Sequence, residues 1–264
     1  MRRNWVWGLV LLLIGVLLLL DNLGYLAFLG FSVWQIIWPL ALIAVGVGFL
    51  IGARRQSAVE TQDFGVDLAE AAEASVHLDY GAGELRVSGG TGAHQLLTGT
   101  FEGGVQHDVA RRDRAVEARL WSRSVVFWPW QFAPYRRSWR LQLNERIPLT
   151  LMVKTGASDC ELDLTDLQVT RLRIESGASS TRVKLPAHAG YTEVRGSSGV
   201  ASLTLRVPAN VAARIRAEGG LSSITVDRQR FPRQGGVYVS RDYETADNKV
   251  DIQIDVGVGS VDIR

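Results

Sequence analysis

The chain has 264 residues, 47% of them apolar, and a formal net charge of +2. The first 56 residues hold four Arg and one Asp, a surplus of +3, so the remainder carries 29−4 = 25 basic and 27−1 = 26 acidic residues and nets −1. The basic balance therefore comes from the N-terminal stretch and not from a nucleic-acid-binding surface. The single cysteine, Cys160, agrees with a reducing compartment.

Val6 to Leu20 is uncharged and interrupted only by Gly8 and Gly15, and Val33 to Ile51 has Gln35 as its one strongly polar residue. A bilayer core of about 30 Å needs roughly 20 apolar residues in helical form, with about 17 as the lower limit. With their flanking tryptophans both stretches reach that range, and Asp21-Asn22-Leu23-Gly24 between them is a turn signal. A two-helix transmembrane hairpin over 1–55 is expected, with spans at about 5–21 and 33–52. Met1-Arg2-Arg3 before an apolar run also resembles a signal peptide, but no small-x-small cleavage site follows Leu20 and a second span comes at once. Trp5, Trp7, Trp34 and Trp38 stand where each span opens, at headgroup level. Ala44, Gly48 and Gly52 are spaced by four, a ridge of small residues that lets two helices approach; glycine is also simply common in membrane helices. Arg2, Arg3, Arg54 and Arg55 flank the pair, and 21–32 has no Lys or Arg. Positive residues near spans stay in the cytoplasm, so both termini and the large domain are expected there.

Residues 56–73 are small and polar and read as a linker. The β-domain is expected over 74–264. Ala74 to Tyr80 alternates as a strand, with further strands at Leu96 to Phe101 and Ala115 to Trp121. Gly103-Gly104 reads as a hairpin turn leading to Val105–Val109.

The segment 111–146 nets 9−3 = +6 and holds Trp121, Trp128, Trp130 and Trp139. All eight tryptophans are therefore either here or in the hairpin. Two readings stand side by side. Arginine with aromatic residues suits an anionic membrane surface or a partner groove, with Trp128, Trp130, Arg136, Arg137 and Trp139 as the contacts. The same residues also suit an aromatic cap closing one end of a β-stack, with arginines as its solvated rim.

After 146 the chain repeats one phrase. Thr155-Gly156-Ala157-Ser158 returns as Ser176-Gly177-Ala178-Ser179, then as Ser198-Gly199-Val200-Ala201 and Gly219-Gly220-Leu221-Ser222. The glycines are 21, 22 and 21 residues apart by subtraction of their numbers. Apolar residues follow each glycine at even offsets, the period of a strand with one buried face. The glycine is expected to open a turn in a φ region that bulky residues avoid. Weaker copies stand at Gly81 and Gly257, the last after an insertion, Phe231–Gly236, that reads as a hairpin. A unit this short cannot bury its own apolar face, so the expected fold is a membrane-anchored all-β protein whose repeats stack into a β-helix-like solenoid.

Little in the sequence points to chemistry. His77, His94, His107 and His188 are scattered without metal-ligand spacing. There is no G-x-S-x-G elbow, P-loop or dinucleotide fingerprint. Cys160 falls on the alternating apolar face, as a core residue does. No enzyme activity and no cofactor or metal is expected.

Trp7-Gly8-Leu9-Val10-Leu11-Leu12-Leu13-Ile14-Gly15-Val16 and Trp38-Pro39-Leu40-Ala41-Leu42-Ile43-Ala44-Val45-Gly46 resemble the LiaI/LiaF-type transmembrane region. Gly81-Ala82-Gly83-Glu84-Leu85, the entry Ile147-Pro148-Leu149 and the Gly-Ala-Ser strands resemble the toastrack domain of LiaF-like proteins. The resemblance implies a β-helix-like domain and a role in the bacterial cell-envelope stress response, where LiaF restrains a membrane histidine kinase. It offers no catalytic residues. The expected function is that of a non-enzymatic regulatory or scaffold protein at the membrane. Its expected partners are membrane lipid, a membrane-bound sensor kinase or related envelope-stress protein, and further copies of itself, with no nucleic acid. A self-associating structural module and an envelope glycan-binding domain are the alternatives; the last requires the opposite orientation.

Overall fold

The structure, a computed structural model, describes residues 61–122 and 138–264. The expected transmembrane hairpin, with Ala44, Gly48 and Gly52, lies outside the described residues. Within them every regular element is a strand, and no helix is long and apolar enough to cross a membrane.

Six long strands carry the repeats: β2 (Glu73–Gly89), β7 (Leu149–Asp163), β8 (Val169–Lys184), β9 (Tyr191–Arg206), β10 (Ala212–Val226) and β13 (Lys249–Ile263). They pair in parallel in the spatial order β2-β7-β8-β9-β13-β10. Each strand reverses its inward parity at the repeat glycine. In β7, Leu149, Leu151, Val153 and Thr155 are buried before Gly156, and Ser158, Cys160 and Leu162 after it. A straight strand would carry the second set outward, since successive side chains point to opposite faces. The chain instead turns a corner at the glycine, so both arms keep their apolar residues on the inside. A return loop such as 164–168, with Leu164 and Leu167 buried, closes the coil and leads to the next one. The stacked coils give one continuous core.

This corrects the reading of the glycines. Gly156, Gly177 and Gly199 lie inside strands, and none has positive φ. What requires glycine is close approach between coils. A Cβ on Gly177 would stand 3.0 Å from the Gly156 carbonyl oxygen, one on Gly199 3.2 Å from that of Gly177, and one on Gly257 2.8 Å from that of Gly199.

The stacking order also departs from chain order. The weak copy at Gly81 sits directly on Gly156, and the C-terminal copy at Gly257 slots between those of Gly199 and Gly220. β13 is therefore paired along both edges, although it is the last strand in the chain.

The head of the stack uses β5 (Ala115–Ser122) and β6 (Ser138–Leu143). β5 pairs in parallel with the first arm of β2, and β6 with its second arm. Together they form one more coil beside β2, its two arms on separate strands. Antiparallel strands cover both arms: β4 (Val105–Arg112) on β5, and β3 (Gln95–Glu102) on β6, with β1 (Thr61–Asp67) beyond β3. At the tail, β11 (Arg233–Gln234) and β12 (Val237–Val239) form the expected hairpin, and β12 pairs with the first arm of β10 at Arg214 and Ile215.

Two further expectations are corrected. The stretch 56–73 is not wholly a linker, because β1 lies in it and pairs with β3 from Thr61 to Asp67. Gly103 and Gly104 do turn the chain, with φ of 86° and 78°, but β3 and β4 do not pair with each other. Each takes a partner on a different arm of the coil of β5 and β6.

Candidate interaction surface

Because parity reverses at the glycine, the residue after it is pushed outward. These residues are in register from coil to coil: Ala82, Ala157, Ala178, Val200, Val258 and Leu221, in spatial order. All six are exposed, Leu221 by 82% and Val200 by 58%. At about 4.8 Å per strand the row runs roughly 24 Å. It grows from alanine through valine to leucine toward β10. The band on either side has no charge: Tyr80–Gly83, Thr155–Ser158, Ser176–Ser179, Ser198–Ala201, Val256–Gly259 and Gly219–Ser222 contain no Asp, Glu, Lys or Arg. The result is a narrow apolar ridge along one edge of the solenoid.

The outer faces beside the ridge are charged and internally paired. On the first arms, Lys154 lies 3.0 Å and Arg173 2.7 Å from the Glu175 carboxylate. The hydrogen bond from Lys154, reinforced by Arg173, holds Glu175 below the usual carboxylate range against a smaller opposing effect of burial. On the second arms, Lys184 meets Asp163 at 2.7 Å. A concavity of 730 Å³ on this side is lined by Phe64, Thr98, Thr100, Arg86, Arg140 and Glu161, and Glu161 sits 3.8 Å from Arg86. Such exposed pairs contribute little stability, about 0–1 kcal/mol each. They do confine charge to the faces and leave the ridge as the place where apolar contact is open.

The structure separates the sequence-predicted contact residues. Trp139 is corrected: it is fully buried, 4.9 Å from the Tyr80 ring and edge-on to Phe101 at 5.1 Å between centroids. On β6 the residues Trp139, Leu141 and Leu143 alternate inward, and Arg140 and Gln142 outward. Trp139 therefore packs in the core, joining the coil of β6 to its antiparallel cover. For this residue the cap reading holds. Trp128, Trp130, Arg136 and Arg137 lie outside the described residues. Trp121 is 38% exposed and donates its indole N–H to Gln106 Oε1 at 2.7 Å.

Sequence reasoning missed the ridge. The signal was present, since an apolar residue follows the glycine in every copy, out of phase with the even-offset core positions. Among the described residues no three His, Cys, Asp or Glu side chains converge on a metal position. Burial pushes the Cys160 thiol up to about 12, and its side chain has no solvent access suited to a nucleophile.

These features define a class: a parallel β-solenoid with a glycine corner ladder, capped by antiparallel strands. The chain belongs to the toast_rack family, as the model for the N-terminal domain of toast_rack (DUF2154) matches residues 54–206. The LiaI-LiaF-like transmembrane region matches residues 5–50, so this is a LiaF-like toastrack protein with a membrane-region match ahead of its β-domain. β10 and β13 continue the same ladder beyond the matched residues. A crystal structure from Clostridium sporogenes described as a "putative cell adhesion protein" shares the fold, with TM-score 0.72 at 21% identity over 78% of this chain and 98% of that one. Two more, from Bacteroides fragilis and Parabacteroides distasonis and each described as a "putative adhesin", align over 79% and 78% of this chain and 98% of their own. Their TM-scores are 0.26 and 0.25 at 9% and 12% identity. No curated relative matches the chain.

Proposed function

We propose that the chain is a non-enzymatic, membrane-anchored regulatory or scaffold protein of the bacterial cell-envelope stress response, and that it works by protein contact. One observation carries the reading: a LiaI-LiaF-like transmembrane region at 5–50 leads directly into a toast_rack domain beginning at 54. The uncharged ridge supports contact as the mode of action, since an apolar row bordered by paired charges suits a protein partner. The partner in this reading is a membrane-bound sensor kinase or a related envelope-stress protein. The spans are two, at about 5–21 and 33–52, and the arginine asymmetry favours a cytoplasmic β-domain. An adhesive or glycan-binding role needs the domain outside the cell.

Deleting the gene is expected to change the output of the kinase-dependent stress promoter under cell-wall-active agents. The full chain restores it, and Val200→Glu, which places a charge on the ridge, does not. A promoter response unchanged by deletion at every stress level would overturn the reading.

Topology is tested separately by cysteine labelling. An engineered cysteine in 56–60 is expected to resist a membrane-impermeant maleimide in spheroplasts and to react after lysis. The native thiol stays silent at pH 8, because Cys160 is 1% exposed and burial pushes it up to about 12. Strong labelling of intact spheroplasts would place the domain outside and favour the glycan-binding alternative.

A further inference from the structure

The two ends of the solenoid are finished differently. At the head both arms of the coil of β5 and β6 are covered, by β4 and by β3 with β1. The outermost of these strands carry charges, Asp63 and Asp67 on β1 and Asp108, Arg111 and Arg112 on β4. Charge on an edge strand is a common protection against further pairing. At the tail, among the described residues, a strand covers only the first arm of β10, β12 at Arg214 and Ile215. The second arm, Leu221–Val226, pairs with β13 on one side, and no strand pairs with its other edge among the described residues.

That arm lacks the usual protection. Gly219-Gly220-Leu221-Ser222-Ser223-Ile224-Thr225-Val226 contains no charge and no proline. One of its inner residues, Ile224, is also less covered than its counterparts. Ile224 is in register with Val261, Leu203, Thr181, Cys160 and Leu85, which are exposed by 5% or less, whereas Ile224 is only partly buried. Leu221, the largest side chain of the ridge, is 82% exposed at this same end. An uncovered terminal repeat of a solenoid exposes core and hydrogen-bonding edge together.

We propose that the second arm of β10 is a dimerisation edge, at which two copies of this chain join tail to tail through antiparallel pairing of Leu221–Val226 with its own counterpart. The occupant follows from the asymmetry of the ends. Head-to-tail stacking is blocked because the head is already covered on both arms. A two-fold contact between two tails needs no other surface, is self-complementary and closes after two copies. It sets Ile224 opposite Ser223 of the copy and leaves one Leu221 at each end of the six-residue pairing. The arm has no charge to repel its copy across the new pairing. This inference rests on the sheet edge alone and stands whether or not the regulatory reading holds.

The test uses the full chain in native membranes, co-expressed with two different epitope tags. Single cysteines are placed at Leu221, Ser223 and Thr225, with the buried native Cys160 as a silent background, and a short bismaleimide is added. The expected result is a crosslinked dimer carrying both tags at one or more of these positions. A cysteine replacing Asp108 on the covered head gives none. Adding Leu221→Lys and Thr225→Lys to the Ser223→Cys variant sets like charges along the edge and is expected to lower the dual-tag yield at least about fivefold. Limited proteolysis of that variant checks that the fold is intact. The proposal is overturned by any of three results: no dual-tag product at all three positions, an equal yield at Asp108→Cys, or a yield unmoved by the two lysines. Crosslinks confined within one chain, or to a different protein, count against it in the same way.

Discussion

Trp139→Ala is expected to lower the stability of the β-domain by about 3–5 kcal/mol, the range for truncating a large buried aromatic residue. Trp139 has no solvent exposure and packs on Tyr80 from β2 and Phe101 from β3. It thus ties the coil of β5 and β6 to both β2 and the antiparallel cover. Ring pairs at these separations contribute about 0.5–1.5 kcal/mol beyond area burial, so Trp139→Phe is expected to cost less than the alanine change. Urea pulse proteolysis of the full chain in a mild detergent reads the difference. A midpoint that does not move in Trp139→Ala would return the residue to the contact surface and undo the core assignment.

Gly156→Ala is the second large effect, and it comes from adding one carbon. The new Cβ would land on the carbonyl oxygen of Gly81, well inside van der Waals contact, and that oxygen belongs to a backbone held in the sheet. Overpacking of a well-packed site costs about 1–3 kcal/mol and occasionally more. The clash cannot be relieved by a rotamer change, so the upper part of that range is expected. Gly236→Ala is the matched control, because a Cβ there meets nothing within 4 Å and its φ is not positive. Its effect is expected within about 0.5 kcal/mol of zero. Equal midpoints for the two variants would mean that the coils do not approach at the glycine.

The glycine case shows where legibility stopped. The register of the copies was readable, because glycine and apolar residues recur at constant offsets. The reason for glycine was not, because a turn with positive φ and a close crossing of two backbones leave the same letter. β1 was missed for a related cause. Thr61-Gln62-Asp63-Phe64-Gly65 has neither clean alternation nor a β-branched run, and it is a strand because β3 offers it an edge. Trp139 sits in a segment rich in arginine and tryptophan, and composition grouped it with its neighbours. Only its position on β6, one residue from the outward Arg140, sends it into the core.

The sequence by itself determined the repeat length, the inward residues after each glycine and the presence of an apolar N-terminal region, since these follow from periodicity and hydropathy along a single chain. It could not determine which copy lies beside which. Each of the six glycine copies presents the same code to its neighbours, a glycine at the corner and an apolar residue after it, so any copy satisfies any other locally. Tertiary structure decided that β13 enters between β9 and β10, that the coil of β5 and β6 is the head, and that among the described residues no strand pairs with the outer edge of the second arm of β10. The physical reason is that backbone pairing is indifferent to separation along the chain. The order of the coils is set by the total burial and hydrogen bonding of the finished stack.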